Sequence, residues 1–484
     1  MTTEVDPGSS SFRDPQNAAF QYQGQWYRIA DADSAQALDR LRASSLYQSL
    51  VDSGALLAFE PIDDPDVLTA YSAYAAALTR PATTPLRVFR VATFETVTYP
   101  WEWPNTLLAA AAQHTCDLRE RLLGIGLDLK DASAFNVQFS GMQPVLIDIG
   151  SIEIWRPNPG WNASRQFIEH FINPLAVGST GTVTAADAWE LGQRRGLRSE
   201  AARSVLPPKQ RRRLSLALLQ ATTRPVASNA PSERKYADAA AKNRDLALRS
   251  TLGLTRRLAK QVQRLSTVSG NSTTWQGYGS REHYATDDLQ RKIELLRDFV
   301  TSRPNRSHLV LDVGGNDGLA GLALADQAGA RVVVMDADAG ALGNLCQALA
   351  CGNEEQRRRI TPLRGDLTNP TGASGLLGKE FLPLTTRIRP SMVLCQAVLH
   401  HVVITQGVPM PLAVAALAAF GADLQVEFAD EPDPKVQILL AQIPNWAGRY
   451  SLDELVNCLK RHYRHVEVAG QTSTYRQVVN AWND

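Results

Sequence analysis

Short apolar runs and segments of helical length alternate in the C-terminal two-fifths of the chain. From about residue 308, apolar runs recur within 309–313, 332–336, 390–398, 422–428 and 465–470. Strands that helices cover on both faces have this composition, because neither face meets water. Their alternation with helices predicts an α/β domain with a doubly wound, Rossmann-like sheet.

A different pattern fills the first half of the chain. Residues 18–30 are typical of a β-hairpin with its turn at Gln23-Gly24, and residues 33–52 and 104–124 carry apolar positions at helical spacing. Short extended runs surround these helices, which predicts an α+β domain. The predicted organisation is a disordered tail (1–17), the α+β domain (18–245), a helical linker (246–274) and the doubly wound domain (275–484).

Composition narrows the classes of function. The 50 basic and 49 acidic residues nearly cancel, so neither a nucleic acid nor a membrane surface is an expected partner. No run of about 18 apolar residues is present, which argues against a transmembrane helix. Five cysteines without a Cys-x-x-Cys pair indicate reduced thiols and a cytoplasmic location, and no metal site is predicted. The oligomeric state stays open, with a homodimer as one alternative.

A glycine-rich loop follows the first strand of the predicted sheet. The strand ends near Asp312, and Gly314, Gly315, Asn316 and Gly318 come next. Glycine lets a backbone approach a ligand closely, and the helix that follows offers free N–H groups. This loop alone is equally typical of dinucleotide-binding folds.

Two carboxylates farther along the chain favour S-adenosylmethionine (SAM) over a dinucleotide. Asp336 ends the second strand, where a carboxylate accepts hydrogen bonds from ribose hydroxyls in either kind of fold. Asp366 follows the third strand, about 30 residues later, where SAM-dependent methyltransferases contact the adenine amino group. Each acid has a local alternative. Asp312 and Asp366 could complete turns, and Asp338 could cap a helix.

These residues carry a resemblance to class I SAM-dependent methyltransferases, specifically to the family related to the nodulation protein NoeA. The matching motifs are LDVGGNDG (311–318), VVVMDAD (332–338), GDLTNP (365–370), AVLHHVVITQGVP (397–409) and VEFADEPDPKVQILL (426–440). The resemblance implies SAM as the cofactor. It implies SAM contacts by Asp312, Gly314, Gly315, Asn316, Gly318, Asp336, Ala337, Asp366, Leu367 and Gln396, with Tyr278 and Lys292 near the methionine end or in a lid.

Candidate acceptor-side residues stand at the ends of the fourth and fifth strands. His400 is the first candidate base and His401 the second, because imidazole accepts protons near neutral pH. Alternatively, a histidine here caps the next helix or packs. Glu427 is a third candidate, as a base or as an anchor for an amine, unless it pairs with a basic residue.

Two absences narrow the acceptor. The D/N-P-P-Y/F motif of amino-group nucleic-acid methyltransferases does not follow strand four, and Cys395 lacks the Pro-Cys context of a C5-cytosine nucleophile. The prediction is therefore methyl transfer to an O or N nucleophile of a small molecule, natural product or glycan.

A second motif lies in the first half of the chain. Asp131 and Asn136 have the D-x-x-x-x-N spacing of a kinase catalytic loop, and Asp148 begins a D-x-G one hairpin later. Residues 18–245 therefore resemble protein kinases and aminoglycoside phosphotransferases. The resemblance implies Asp131 as the base-like residue and Asn136 and Asp148 as Mg²⁺ ligands.

Two departures weaken the resemblance to active kinases. A G-x-G-x-x-G loop is absent from the first 60 residues, and Arg28 stands roughly where the lysine is expected. The favoured interpretation is a degenerate kinase-like domain that recognises or shields the substrate. The alternatives are a bifunctional protein whose N-terminal domain also binds nucleotide, and a non-catalytic binding protein.

Overall fold

The computed structural model describes residues 6–7, 17–77, 87–94, 96–157, 160–212, 243–266, 286–303, 309–443, 446 and 448–484. Tyr278, predicted to lie near the cofactor, falls outside the described residues, as does most of the predicted tail. The helical linker predicted at 246–274 corresponds in part to a helix that ends at Ser266.

An antiparallel sheet of five strands lies in the N-terminal part. The strands are β1 (Asp6–Pro7), β2 (Ala19–Tyr22), β3 (Gln25–Ala30), β4 (Phe59–Ile62) and β5 (Arg87–Val91), in the order β1-β2-β3-β5-β4. Gln23 and Gly24 connect β2 to β3 with φ of 50° and 80°. A two-residue turn with both φ values positive matches the twist of the flanking strands. The hairpin predicted at 18–30 is therefore confirmed.

Helices and two small two-stranded sheets complete the N-terminal part. The helices are α1 (Ala32–Arg42), α2 (Ser45–Asp52), α3 (Pro65–Ala77), α4 (Asn105–Leu123), α5 (Ser164–Phe167), α6 (Asn173–Gly178), α7 (Ala185–Leu191), α8 (Ser199–Val205) and α9 (Arg244–Ser266). The helix predicted at 104–124 is α4, and its buried face packs against α9 and contributes to one large core. The strands are β6 (Leu127–Leu129), β7 (Val137–Ser140), β8 (Gln143–Leu146) and β9 (Ile152–Ile154), paired as β6–β9 and β7–β8.

Seven strands form the sheet of the C-terminal part. They are β10 (Leu309–Val313), β11 (Arg331–Asp336), β12 (Ile360–Arg364), β13 (Met392–Gln396), β14 (Asp423–Ala429), β15 (His465–Ser473) and β16 (Arg476–Trp482). Their order is β12-β11-β10-β13-β14-β16-β15. The first five in chain order are mutually parallel, and β16 lies antiparallel between β14 and β15. The predicted alternation thus corresponds to a doubly wound sheet that ends in an antiparallel hairpin.

Helices cover both faces of this sheet. The helices are α10 (Thr286–Thr301), α11 (Leu319–Gln327), α12 (Ala339–Cys351), α13 (Glu354–Arg359), α14 (Leu384–Arg387), α15 (Met410–Ala418), α16 (Pro434–Ala441) and α17 (Leu452–Leu459). Val310 and Val332 enter a core with α10, α11 and α12, whereas their neighbours Leu311 and Val333 enter a separate core with α15, α16 and α17. Among the described helices, none has the length and apolar character needed to cross a membrane.

A buried ion pair joins the two parts of the chain. Arg387, in the segment between β12 and β13, donates a hydrogen bond to Glu102, and both side chains are less than 5% exposed. The guanidinium also lies 4.2 Å from the centre of the Tyr99 ring. The Thr371 hydroxyl donates to Glu102 (2.5 Å), and the Leu382 N–H donates to the Tyr99 hydroxyl (2.8 Å). The aromatic segment 99–104 therefore lies at the boundary between the parts.

Candidate functional site

The strand order of the C-terminal sheet reverses between β10 and β13. Strands β11 and β12 lie on one side of β10, whereas β13 and β14 lie on the other. Open α/β sheets bind their ligands in the crevice outside the carboxyl ends of the strands at such a reversal. The predicted loop at 312–318 follows β10 and the predicted histidines follow β13, so the fold brings both to this edge.

The loop after β10 needs glycine for two reasons. Gly314 and Gly318 have φ of 67° and 81°, a region that side chains disfavour. A β-carbon on Gly314 would overlap the Val398 side chain, and one on Gly318 would lie 2.5 Å from Leu345 Cδ1. Asn316 has φ of 51°, which asparagine tolerates better than most residues. The departure from glycine at this position is therefore compatible with the loop.

Asp312 is a buried carboxylate at the end of β10. The residue is 1% exposed, and neither carboxylate oxygen has a hydrogen-bond partner among the described residues. A β-carbon on Gly315 would lie 2.6 Å from Asp312 Oδ2, so a glycine is needed there to accommodate this side chain. Burial raises the pKa of Asp312 to about 7, opposed by Lys292 and assisted by Asp336. Buried polar groups usually have partners, so this carboxylate indicates a ligand that donates hydrogen bonds.

Asp336 connects the end of β11 to the glycine loop. Its carboxylate accepts hydrogen bonds from the backbone N–H groups of Asn316 (2.8 Å) and Asp338 (2.7 Å). Burial raises the pKa of Asp336, although these two bonds oppose the shift. Each carboxylate oxygen can accept a further bond from a ligand. Ala337, the next residue, is exposed. Asp338 caps the N-terminus of α12, as the alternative interpretation of this residue predicted.

Asp366 lies in a turn just after β12. Its Oδ1 atom accepts bonds from the backbone N–H and the hydroxyl of Thr368, each at 2.8 Å, and the next residue, Leu367, is buried. The turn interpretation of Asp366 therefore holds, and it is compatible with a ligand contact at the half-exposed carboxylate. Arg364, two residues earlier, pairs with Asp187 of the N-terminal part at 2.5 Å. This edge of the site thus borders the N-terminal part.

The end of β13 contributes a side-chain amide that is only partly satisfied by the described residues, and a residue with a strained backbone. Gln396 is 8% exposed and donates to Gln425 Oε1 at 3.4 Å, while its own carbonyl oxygen has no partner in the described part of the chain. Ala397 has φ of 59°. Such backbone strain in a residue with a side chain persists mainly where the surrounding structure enforces it, often at functional sites.

Two adjacent histidines follow Ala397. The His400 and His401 rings lie 4.2 Å apart, and His400 is 1% exposed. Neither His400 ring nitrogen has a hydrogen-bond partner within the described ranges. Burial lowers the pKa of His400 to about 3, with His401 and Arg476 adding to the effect, and burial lowers that of His401 to about 4. Both rings are therefore neutral at pH 7.

A buried charge network lies beside the histidines. The Lys292 ammonium of α10 donates to Glu427 Oε2 (2.9 Å), and the Thr472 hydroxyl donates to Glu427 Oε1 (2.7 Å). Arg476 Nη1 lies 3.9 Å from Glu427 Oε2, and Arg476 Nε lies 2.8 Å from Asp433 Oδ2. Burial would raise the pKa of Glu427, but Lys292 and Arg476 hold it below its usual value. Glu427 therefore pairs with basic residues, which was the alternative to its role as a base or amine anchor.

Sequence reasoning found only part of this network. Lys292 and Glu427 were each predicted, but their pairing was not, and Thr472, Asp433 and Arg476 were not identified. Arg476 lies on the antiparallel strand β16, opposite Ala429 at the carboxyl end of β14. The antiparallel pairing of β16 beside β14 was not predicted, so no signal in the sequence marked Arg476.

The predicted kinase-like residues lie together in the N-terminal part. Asp131 accepts a bond from the Ser133 N–H (2.8 Å), and its pKa is raised by burial and by the nearby Asp148. Asn136 is 8% exposed. Arg28 Nη1, from β3, lies 2.6 Å from Asp148 Oδ1. Among the described residues, no group of three or more histidine, cysteine or acidic side chains is arranged to hold a metal ion.

Comparisons with known proteins connect the chain to one curated relative and to several methyltransferases. No family profile matches the chain. It is 26% identical over 458 residues to Nodulation protein NoeA of Rhizobium meliloti (strain 1021), covering 95% of this chain and 92% of that protein.

Solved structures that are similar to the C-terminal fold include methyltransferases. Magnesium protoporphyrin IX methyltransferase (ChlM) from Synechocystis PCC 6803, solved with bound SAH, is 19% identical, with 41% of this chain and 84% of that chain covered and a TM-score of 0.29. The bifunctional kinase-methyltransferase WbdD is 20% identical, with 40% of each chain covered and a TM-score of 0.30.

Proposed function

We propose that the chain is a SAM-dependent methyltransferase whose donor site is the switch point of the C-terminal sheet. One observation carries the proposal. Asp312, Gln396 and His400 all have buried polar atoms without partners among the described residues, and all three lie at the ends of the adjacent strands β10 and β13. Because native proteins rarely leave such atoms unsatisfied, their clustering supports a polar ligand at this edge.

The residues at this edge fit the donor chemically. SAM carries an ammonium group, ribose hydroxyls and an adenine amino group, all of which donate hydrogen bonds. Asp312, Asp336 and Asp366 offer carboxylate acceptors after three successive strands, and Gly314 allows close backbone approach. Lys292 and Tyr278 are the candidate residues near the methionine end of the donor, and Glu427 fixes the position of the Lys292 ammonium there. When bound, SAM supplies an electrophilic methyl group on a positively charged sulfur.

The acceptor side lies at the ends of β13 and β14. His400 is the proposed base, with His401 next to it, because a neutral imidazole can take a proton from the acceptor. Methyl transfer otherwise needs mainly alignment of the two reactants. The proposed acceptor is an O or N nucleophile of a small molecule, a natural product or a glycan.

Calorimetric titration with SAM tests the donor site. The intact chain is expected to bind SAM, and Asp336→Ala is expected to weaken binding by about 1–3 kcal/mol through lost ribose hydrogen bonds. Asp338→Asn is the matched control, because it removes a carboxylate close to Asp336 while the asparagine side chain still caps α12. Absence of SAM binding, or an Asp336→Ala affinity equal to that of the intact chain, contradicts the proposal.

For the N-terminal part, the proposal is a degenerate kinase-like domain that recognises or shields the acceptor. The ion pair between Arg28 and Asp148 supports this, because it engages a carboxylate that an active kinase needs for Mg²⁺. Titration with ATP and Mg²⁺ separates the alternatives. Absence of binding is expected, whereas binding would favour a bifunctional protein.

A further inference from the structure

Among the described residues, two buried cations and two buried anions lie on the acceptor side. Lys292 and Arg476 are the cations, Glu427 and Asp433 are the anions, and all four residues are at most 8% exposed. Lys292 pairs with Glu427 at 2.9 Å, and Arg476 pairs with Asp433 at 2.8 Å while approaching Glu427 at 3.9 Å. The charges beside His400 are therefore balanced within the chain itself.

This balance limits which acceptors can be buried there. Taking a charged group out of water costs several kcal/mol unless an opposite charge compensates it. A carboxylate acceptor would need a cation without a partner, and an ammonium acceptor would need a free carboxylate. The paired groups beside His400 offer neither, whereas an uncharged group needs only hydrogen bonds.

We infer that the acceptor presents a neutral hydroxyl to His400, so that the chain is an O-methyltransferase for an uncharged alcohol. The inference rests on the proposed function and narrows it. Both His400 ring nitrogens are buried without a partner among the described residues, so an acceptor hydroxyl beside this ring would supply a hydrogen bond that one of them lacks.

The transfer step is consistent with this charge balance. His400 takes the hydroxyl proton as the acceptor oxygen forms its bond to the methyl carbon, and the electron pair of the methyl–sulfur bond passes to sulfur. The sulfonium charge disappears as the imidazolium charge forms, so the net charge of the pocket is unchanged. The titratable and charged groups that face His400 are His401, Arg476, Asp433 and Glu427. Burial, His401 and Arg476 keep the ring neutral before the step, whereas Asp433 and Glu427 favour the imidazolium that forms during it.

Three probes of one skeleton test the inference: methyl glucoside, methyl glucosaminide and methyl glucuronide. The full chain is incubated with methyl-labelled SAM, and labelled product is measured for each probe. The neutral glucoside is expected to be methylated at least tenfold faster than the charged probes. Equal or faster labelling of a charged probe, or no labelling of any probe by a chain that binds SAM, overturns the inference. The same calorimetric titration distinguishes this outcome from failure of the proposed function, in which SAM itself does not bind.

A charge variant sharpens the test. Asp433→Asn leaves Arg476 without its close carboxylate but retains the capping oxygen that accepts from the Lys435 N–H. The preference for the glucoside over the glucuronide is expected to fall about tenfold, because the released cation now favours a carboxylate. Asp430→Asn is the control, since that carboxylate accepts a neutral amide bond from Gln477 and pairs with no cation in the described part of the chain. An unchanged preference in Asp433→Asn contradicts the inference.

Discussion

Replacing Arg387 with methionine removes the guanidinium that joins the two parts of the chain and retains an apolar stem. Arg387 pairs with Glu102 and also donates to the carbonyl oxygens of Val97 (2.7 Å) and Leu382 (3.1 Å). Without it, Glu102 becomes a buried carboxylate without a cation. Breaking a buried pair by removing one partner costs about 3–5 kcal/mol, so Arg387→Met is expected to lower the free energy of unfolding by that amount.

Urea unfolding followed by tryptophan fluorescence measures the change. Glu102→Gln combined with Arg387→Met is expected to recover part of the loss, because glutamine leaves no buried charge. Arg358→Met is the control, since its pair with Glu354 is more than 60% exposed on both sides and is worth at most about 0.5 kcal/mol. A loss below about 1 kcal/mol in Arg387→Met, or no recovery in the double variant, refutes the account of this interface.

Three further predictions concern the site. Gly314→Ala is expected to lower the free energy of unfolding in urea by about 1–3 kcal/mol, because the φ of Gly314 is 67° and Val398 occupies the space that a β-carbon would need. Gly343→Ala in α12 is the control and should not destabilise the fold, since a β-carbon there meets no neighbouring atom. The affinity for SAM, measured by calorimetry, is expected to rise between pH 5 and 7, because the pKa of Asp312 is raised to about 7 and only the ionised carboxylate attracts the donor ammonium. Asp312→Asn should remove this pH dependence, and a variant with the same pH profile as the intact chain would contradict the role of Asp312. His400→Ala is expected to lower turnover about 10²–10⁴-fold in the labelled-methyl assay at unchanged SAM affinity, and full activity would exclude it as the base.

Elements whose residues are buried as continuous runs could be predicted from the sequence. The run at 309–313 is fully buried as β10. The glycines after it could be identified because close backbone approach and positive φ both favour glycine over other residues. The same holds for Asp338, where an N-cap follows from local hydrogen bonding.

Side chains that meet across the sheet could not be predicted. Lys292 pairs with a residue 135 positions away, and Arg28 pairs with Asp148 across more than one hundred residues. No local sequence pattern predicts pairing between residues so far apart in the chain, because the pairing depends on strand order and register. Arg476 shows this most clearly, since its position beside Glu427 depends on the antiparallel placement of β16.

The most direct test of the donor site is a crystal structure of the full chain grown with S-adenosylhomocysteine. We expect ligand density against the loop at 312–318, with the amino group near Asp312, the ribose at Asp336 and the adenine near Asp366. Density at another position, or a pocket filled by side chains when the ligand is in excess, would contradict this location of the donor site.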